Sequence, residues 1–303
     1  MRDDVSNPIL ITGATGFIGS AVAAKLVKDG RKVILLARAG ARPRYRNLAL
    51  KECTFLEYDK LTSIGAILGD IRPAAILHLA ASMIEETTGE SVADLVEANF
   101  DLGVLLLHEA AIRGCKCFVF AGSFWQLGGI EKPGPNCLYA DLKRSFSALL
   151  EAYGNRNGFS TATLILHDVY GEGDKRGKIL DILLNVARGA PSPSLTEGMQ
   201  IIDVTHVDDV ASAFEHAVDY LLDKATVFHA QWWVSGNRLT LRELAGHIEK
   251  ILGRDLNFRW GEKPYSDKTI MEPLIGTKVP GWEPGIEIDA WLARELNSRN
   301  NRL

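Results

Sequence analysis

A tyrosine and a lysine stand four residues apart in the stretch Tyr139-Ala-Asp-Leu-Lys143. On a helix that spacing puts both side chains on one face. A free phenol has a pKa of about 10 and exchanges protons poorly at neutral pH. A neighbouring ammonium favours the phenolate and lowers that value, which suits a tyrosine to trade a proton with an alcohol or carbonyl. Ser123, 16 residues upstream, closes an apolar run and can bond the same oxygen. Tyr-x-x-x-Lys is also common on plain helix surfaces, so its weight depends on its company.

That company begins near the start of the chain, in ILITGATGFIGSAV. Gly13, Gly16 and Gly19 are spaced three apart after an apolar run and before a helical pattern. In a strand–turn–helix setting the first permits the tight turn. The second lets a pyrophosphate approach the backbone, and the third lets helix and sheet pack closely. The helix N-terminus then offers free N–H groups and a partial positive charge to an anion. The second strand ends at Ala37-Arg38, where an NAD site would place Asp or Glu on the ribose hydroxyls. Arg38 stands there instead, with Arg42, Arg44 and Arg46 close behind. A guanidinium suits a 2′-phosphate, which favours NADP over NAD. Asp59 and Lys60 end the third strand, where adenine would lie, and Leu79, Ala80 and Ala81 give a cofactor room after the fourth. His78 reads as a packing or locally bonded residue rather than a reactive one.

The elements that must hold these residues follow from the hydrophobic pattern. Runs at 9–13, 32–37, 53–59, 75–81, 116–123 and 161–169 are continuously apolar, as in strands buried on both faces of a parallel sheet. Helical periods lie between them, including one that starts at Ile18, Val22 and Leu26 and one over 92–112. The alternation predicts an α/β fold, a doubly wound parallel sheet with right-handed crossovers. After Tyr170 come a Gly- and Lys-rich loop, a helix over 179–187, a strand-like run at 200–206, a helix over 207–222 and a strand-like run at 227–234. The expected division is a dinucleotide domain over 1–170, with 201–224 returning to it, and a smaller substrate-binding lobe from 171–200 and 225–303.

Composition excludes other classes. The net charge of −4 leaves no nucleic-acid footprint. No apolar run approaches the ~18–20 residues of a membrane span. The first residues, MRDDVSNP, lack a signal-peptide pattern. Cys53, Cys115, Cys117 and Cys137 are not at zinc spacing and read as reduced thiols of a cytoplasmic protein, with no metal site.

The segments TGATGFIG, ILHLAA, EANFDLG, FAGSFWQLG, YADLK, HDVYGEGD, DVTHVDDVA and PGWEP occur in family order. In them the chain resembles the extended short-chain dehydrogenase/reductases of the nucleotide-sugar epimerase/dehydratase family, over nearly its whole length. The resemblance implies a Rossmann core, a nicotinamide cofactor, and Ser123, Tyr139 and Lys143 as the catalytic trio. It places Thr15, Phe17 and Ile18 with the glycines around the pyrophosphate. Asn99 supports the catalytic lysine through water, and Tyr139, Lys143, His167 and Val169 lie by the cofactor. Ser82, Phe124, Trp125, Asp168 and Lys178 fall on the substrate side. It also implies a homodimer paired through helices near 91–113 and 140–156.

Departures from the family pattern narrow the chemistry. Its dehydratases carry an acidic residue just after the Ser/Thr; here Phe124, Trp125 and Gln126 follow, and water elimination is not expected. Arginines usual three residues before Asp168 and just before Asp203 are replaced by Ile165 and Ile202. Lys175, Arg176 and Lys178 are the nearby cations left for a substrate diphosphate. Ser-Phe-Trp-Gln, the short loop after it and Tyr-Gly-x-x-Asp-x-Arg are most similar to the CDP-abequose and CDP-paratose synthase branch of sugar 4-ketoreductases. The expectation is an NADPH-dependent reductase of a nucleotide-linked 4-keto-6-deoxysugar. An NAD-dependent 4-epimerase and a non-catalytic NADP-binding protein stand as alternatives.

Overall fold

The structure is a computed structural model that describes residues 7–41, 50–51, 53–83 and 88–300, with side chains to 297. Arg42, Arg44 and Arg46 lie outside the described residues. The first half alternates β1 (Ile9–Thr12), α1 (Phe17–Lys28), β2 (Val33–Arg38), β3 (Thr54–Tyr58), α2 (Ile64–Leu68) and β4 (Ala75–His78). It continues through α3 (Gly89–Val96), α4 (Leu102–Ile112), β5 (Cys117–Ser123), α5 (Leu138–Asn157) and β6 (Ser160–Leu166). Then come β7 (Asp168–Tyr170), α6 (Ile179–Ala187), β8 (Ile201–His206), α7 (Val207–Leu222), β9 (His229–Val234), β10 (Asn237–Thr240), α8 (Leu241–Leu252) and α9 (Ile288–Asn300).

A seven-stranded sheet runs in the order β3-β2-β1-β4-β5-β6-β9, and every neighbouring pair is parallel. This is the Rossmann-like α/β arrangement. Side chains alternate across it. Ile9 and Ile11 meet α1 and α7 through Val22, Leu26 and Phe214 on one face. Leu10 joins Leu106, Phe118 and Phe146 on the other, under α4 and α5. Two-sided burial explains why these strands read as unbroken apolar runs. A fully buried residue such as Leu106 contributes roughly 1.5–3 kcal/mol by removal from water.

Three features differ from the sequence reading. The run expected as one strand over 161–169 splits at His167. The chain leaves β5 and β9 there, and β7 pairs with β8 instead. The segment expected to return a strand to the main sheet returns only α7, which packs on α1, β5 and β6. Its strand β8 lies between β7 and antiparallel β10 in a three-stranded sheet. The missing seventh strand is β9, expected in the smaller lobe but paired with β6 from Thr161↔His229 onward. Both runs are short and apolar, and only long-range pairing distinguishes them.

The helix expected over 92–112 is also interrupted. A π turn, Glu97–Asp101, lies between α3 and α4. Its wider backbone turns Asn99 wholly inward.

The small sheet closes a second apolar cluster, in which Ile202 and Val204 meet Leu183 of α6, Leu244 of α8 and Trp291 of α9. The late Pro-Gly-Trp-Glu-Pro stretch is pinned to α7. Trp282 donates to the Asp209 carbonyl, and the Asp209 carboxylate takes the N–H groups of Gly285 and Ile286. No helix among the described residues is long and apolar enough to cross a membrane.

Candidate active site

The carboxyl ends of β1, β2, β3 and β4 bring the expected cofactor residues to one crevice, the usual ligand position in an open α/β sheet. Gly13 adopts φ +77°, and a Cβ there would lie 2.5 Å from the Ala80 nitrogen. A Cβ on Gly19 would overlap the Gly13 carbonyl oxygen. Both positions therefore exclude any side chain. Gly16 is exposed and meets only the Gly13 oxygen, at 3.1 Å, which leaves its outer face open to a ligand. It precedes α1, whose N-terminus has no side-chain cap. The first N–H groups of such a helix have no intrahelical acceptor. Thr15 and Ile18 are half-buried beside it, and Phe17 is buried. This cradle fits a dinucleotide pyrophosphate.

Arg38 is exposed at the end of β2, opposite Tyr58. Asp59 and Lys60 are exposed just past β3. Leu79, Ala80, Ala81 and Ser82 follow β4 along the rim. His78, the last residue of β4, is fully buried, bonded to Thr12 Oγ1 at 2.8 Å and stacked on Phe120. Burial and then the Lys143 charge hold its pKa down to about 3. It is a neutral packing residue, as the sequence suggested. Asn99 donates to the carbonyls of Ser82 (2.8 Å) and Leu95 (2.9 Å), so it ties the rim to the helix behind it. Its Oδ1 is buried without a partner.

The three residues of the expected trio meet where β5 ends against α5. Ser123 is the last residue of β5, and Tyr139 and Lys143 sit one turn apart at the start of α5. The Ser123 side chain acts on the Tyr139 phenol closely enough to lower its pKa. Lys143 is buried; its Nζ donates to the Ala121 carbonyl at 3.0 Å and lies 4.5 Å from the Phe120 ring centre and 5.8 Å from that of Tyr139. The electrostatics reverse the expected direction. Burial pushes the Tyr139 phenol up to about 12, against the lowering effect of Ser123. Burial also pushes Lys143 down to about 7. Both groups have lost water, and desolvation disfavours whichever form is charged. The site therefore holds a neutral phenol with its proton in place.

A 3₁₀ turn, Phe124–Gln126, follows Ser123. Sequence inspection did not reveal how it is fixed. Gln126 Oε1 accepts the Ser123 N–H at 3.0 Å, and Ser123 Oγ accepts the Trp125 N–H at 3.3 Å. Trp125 meets Tyr139 edge-on, with ring centres 6.4 Å apart. Phe124 instead stacks on His167 at 5.1 Å. The His167 side chain is only 1% exposed, with Nε2 3.9 Å from Asp203 and neither ring nitrogen hydrogen-bonded. Val169 is buried in the core as well. The sequence reading put His167 and Val169 against the cofactor. Both side chains are buried where β6 ends and β7 begins.

On the substrate side, Asp168, Tyr170, Asp174, Lys178 and Trp291 line a small cavity. Burial pushes the Asp168 carboxyl up, opposed by Lys178 and Arg176. Lys178 Nζ lies 3.9 Å from the Met83 sulfur, next to Ser82. Ile165 and Ile202 are buried. The Asp203 carboxylate is met from β10 and its preceding turn, by the Ser235 hydroxyl at 2.5 Å, the Gly236 N–H at 2.9 Å and Arg238 at 3.8 Å. Among the described residues no cluster could hold a metal ion. None of the four cysteines is in a disulfide among the described residues, and burial raises the Cys115 thiol to about 12.

Known proteins are similar to this chain in sequence and fold. The CDP-abequose synthase of Salmonella muenchen is 26% identical, covering 98% of this chain and 99% of its own. The UDP-glucose 4-epimerase of Rhizobium meliloti strain 1021 is 27% identical, covering 98% of each chain. The crystal structure of the Thermus thermophilus UDP-glucose 4-epimerase complexed with NAD superposes with a TM-score of 0.80, at 22% identity, over 98% of this chain and 100% of that one. Residues 9–227 match the NAD dependent epimerase/dehydratase family. The chain belongs to that family, whose enzymes are NAD(P)-dependent oxidoreductases of the extended short-chain dehydrogenase/reductase type.

Proposed function

We propose that the protein reduces the keto group of a nucleotide-linked 4-keto-6-deoxysugar, carried on CDP or dTDP, with NADPH as reductant. The observation that carries the reading is the half-buried, neutral Tyr139 set beside Ser123 and Trp125, next to a turn that offers Trp125 and Gln126 where a dehydratase carries an acid. A phenol held protonated is prepared to give its proton to an alkoxide. The Gly13–Gly19 cradle and Arg38 are suited to hold NADPH, with the guanidinium on the 2′-phosphate. Bound there, the reduced nicotinamide supplies the hydride. Ser123 orients the carbonyl and stabilises charge on its oxygen. Tyr139 delivers the proton, and Lys143 balances the phenolate left behind. Trp125, Asp168 and Lys178 bound the sugar pocket, and Lys178 is the cation on that side for a diphosphate. The CDP-abequose synthase likeness supports the same class. We place the enzyme in the cytoplasm as a homodimer paired through α4 and α5, where Ile112 is 61% exposed.

The likeness to UDP-glucose 4-epimerases, one of them complexed with NAD, favours a second reading. In it a retained NAD oxidises and re-reduces one sugar carbon. The test is NADPH consumption with a panel of CDP-, dTDP- and GDP-linked 4-keto sugars. Turnover with at least one is expected. Silence across the panel, together with interconversion of UDP-glucose and UDP-galactose, would transfer the reading to the epimerase.

A further inference from the structure

The loop after β7 carries Lys175, Arg176 and Lys178, all candidates for a substrate diphosphate by sequence. The structure separates them. Lys178 faces Met83 and Asp168, whereas Arg176 folds back onto Phe17, the residue after Gly16. Its guanidinium carbon lies 4.7 Å from the centre of the Phe17 ring, the first residue of α1. Three of its five donors are already used. Nε and Nη2 bond the two Asp174 oxygens at 2.7 Å each, and Nη2 also donates to the Val169 carbonyl at 2.6 Å. Asp174 is itself nearly buried, at 6% exposure, so the fork is fixed. The remaining Nη1 donors have no protein partner among the described residues.

We infer that Arg176 is a cofactor clamp whose free Nη1 edge binds the pyrophosphate seated on the Gly13–Gly19 turn. The inference rests on the dinucleotide reading above. A helix N-terminus supplies only about half a positive charge. Residues 13–24 include no basic side chain, so the turn by itself leaves a doubly charged pyrophosphate undercompensated. Arg38 stands at the end of β2, placed for the adenosine ribose. Arg176 is stacked on the first residue of the binding helix with its other edge held by Asp174, so the two Nη1 donors are presented in a fixed plane for phosphate oxygens. Because it belongs to the loop joining β7 to α6, cofactor binding would also fix the wall that holds Asp168 and Lys178.

Calorimetric titration of the full chain with NADPH, NADH and ADP-ribose tests the clamp. All three ligands carry the pyrophosphate. Arg176→Gln is expected to weaken each by a similar factor, roughly ten- to a hundredfold. Arg176→Lys, which keeps the charge without the fork, should fall between, and it serves if the glutamine variant folds poorly. Hydrogen exchange in the loop should slow when NADPH saturates the parent and not when it is added to Arg176→Gln. Unchanged dinucleotide affinity with a raised KM for the nucleotide sugar would assign Arg176 to the substrate and overturn the clamp. Failure of the parent to bind any dinucleotide would instead overturn the underlying reading.

Discussion

The two ends of the crevice are built differently. At the β1–α1 turn, geometry allows almost no choice. Gly13 and Gly19 have backbone atoms of neighbouring residues where a Cβ would stand. At the β7–β8–β10 end the contacts run through side chains, and the Asp203 carboxylate is satisfied from Ser235, Gly236 and Arg238. A pyrophosphate seat made from backbone tolerates little change, because its donors cannot be moved to another residue. A seat made from side chains can be rebuilt from a neighbouring strand. The proposed reaction centre, Ser123, Tyr139 and Lys143, is built on β5 and α5, between the two ends.

Substitutions should separate these parts, beginning with the largest effect. Tyr139→Phe removes the proton donor and should lower kcat by roughly a hundred- to ten-thousandfold. NADPH affinity measured by titration should stay within a few-fold, because the ring and its contact with Trp125 remain. Gly13→Ala should abolish measurable dinucleotide binding and destabilise the fold by at least about 1–3 kcal/mol, read from denaturant melts. An alanine tolerated there would break the contrast between the two ends. Arg38→Asp should shift the ratio of NADPH to NADH affinity by tenfold or more towards NADH, with kcat little changed at saturation.

Lys143 supplies a pH test. Its pKa is about 7 in the fold, against 10.5 for a free lysine. Between those values the unfolded chain binds the additional proton, so this group makes stability rise with pH from about 7 to 10.5. Below that window both states are protonated and the penalty is constant. Melting temperatures of Lys143→Met, measured across the window without dinucleotide, should lack that rise; an unchanged slope would remove the buried charge from the account. The last test is at the β7–β8–β10 end. Arg238→Gln should cost roughly 1–3 kcal/mol, because it takes a nearby cation from the buried Asp203 carboxylate, which keeps two closer donors.

The same contrast governs what the sequence could reveal. The glycine turn, the strands of the first half and the helices α6 and α7 are legible because each is fixed by a local pattern of turn residues or period. Ser123, Tyr139 and Lys143 are found by spacing and family order. The exchange of β8 and β9 between sheets is not legible, since two short apolar runs differ only in distant partners. The π turn at Asn99 adds one residue to a helical period and leaves the apolar pattern nearly intact. The direction of the Tyr139 shift depends on how far α5 buries the ring against β5, which no i, i+4 spacing encodes. The stacking of Phe124 on His167 likewise joins two segments that no local pattern connects.

The central claim is that hydride comes from an exchangeable NADPH and proton from Tyr139. The most direct test supplies NADPH deuterated at the nicotinamide C4 with the 4-keto sugar nucleotide that turns over best, and reads the product by mass and NMR. The account predicts one deuterium on the sugar carbon that carried the ketone, with stoichiometric NADP released. A product without deuterium, or an epimerised sugar with no net NADPH consumed, would contradict it.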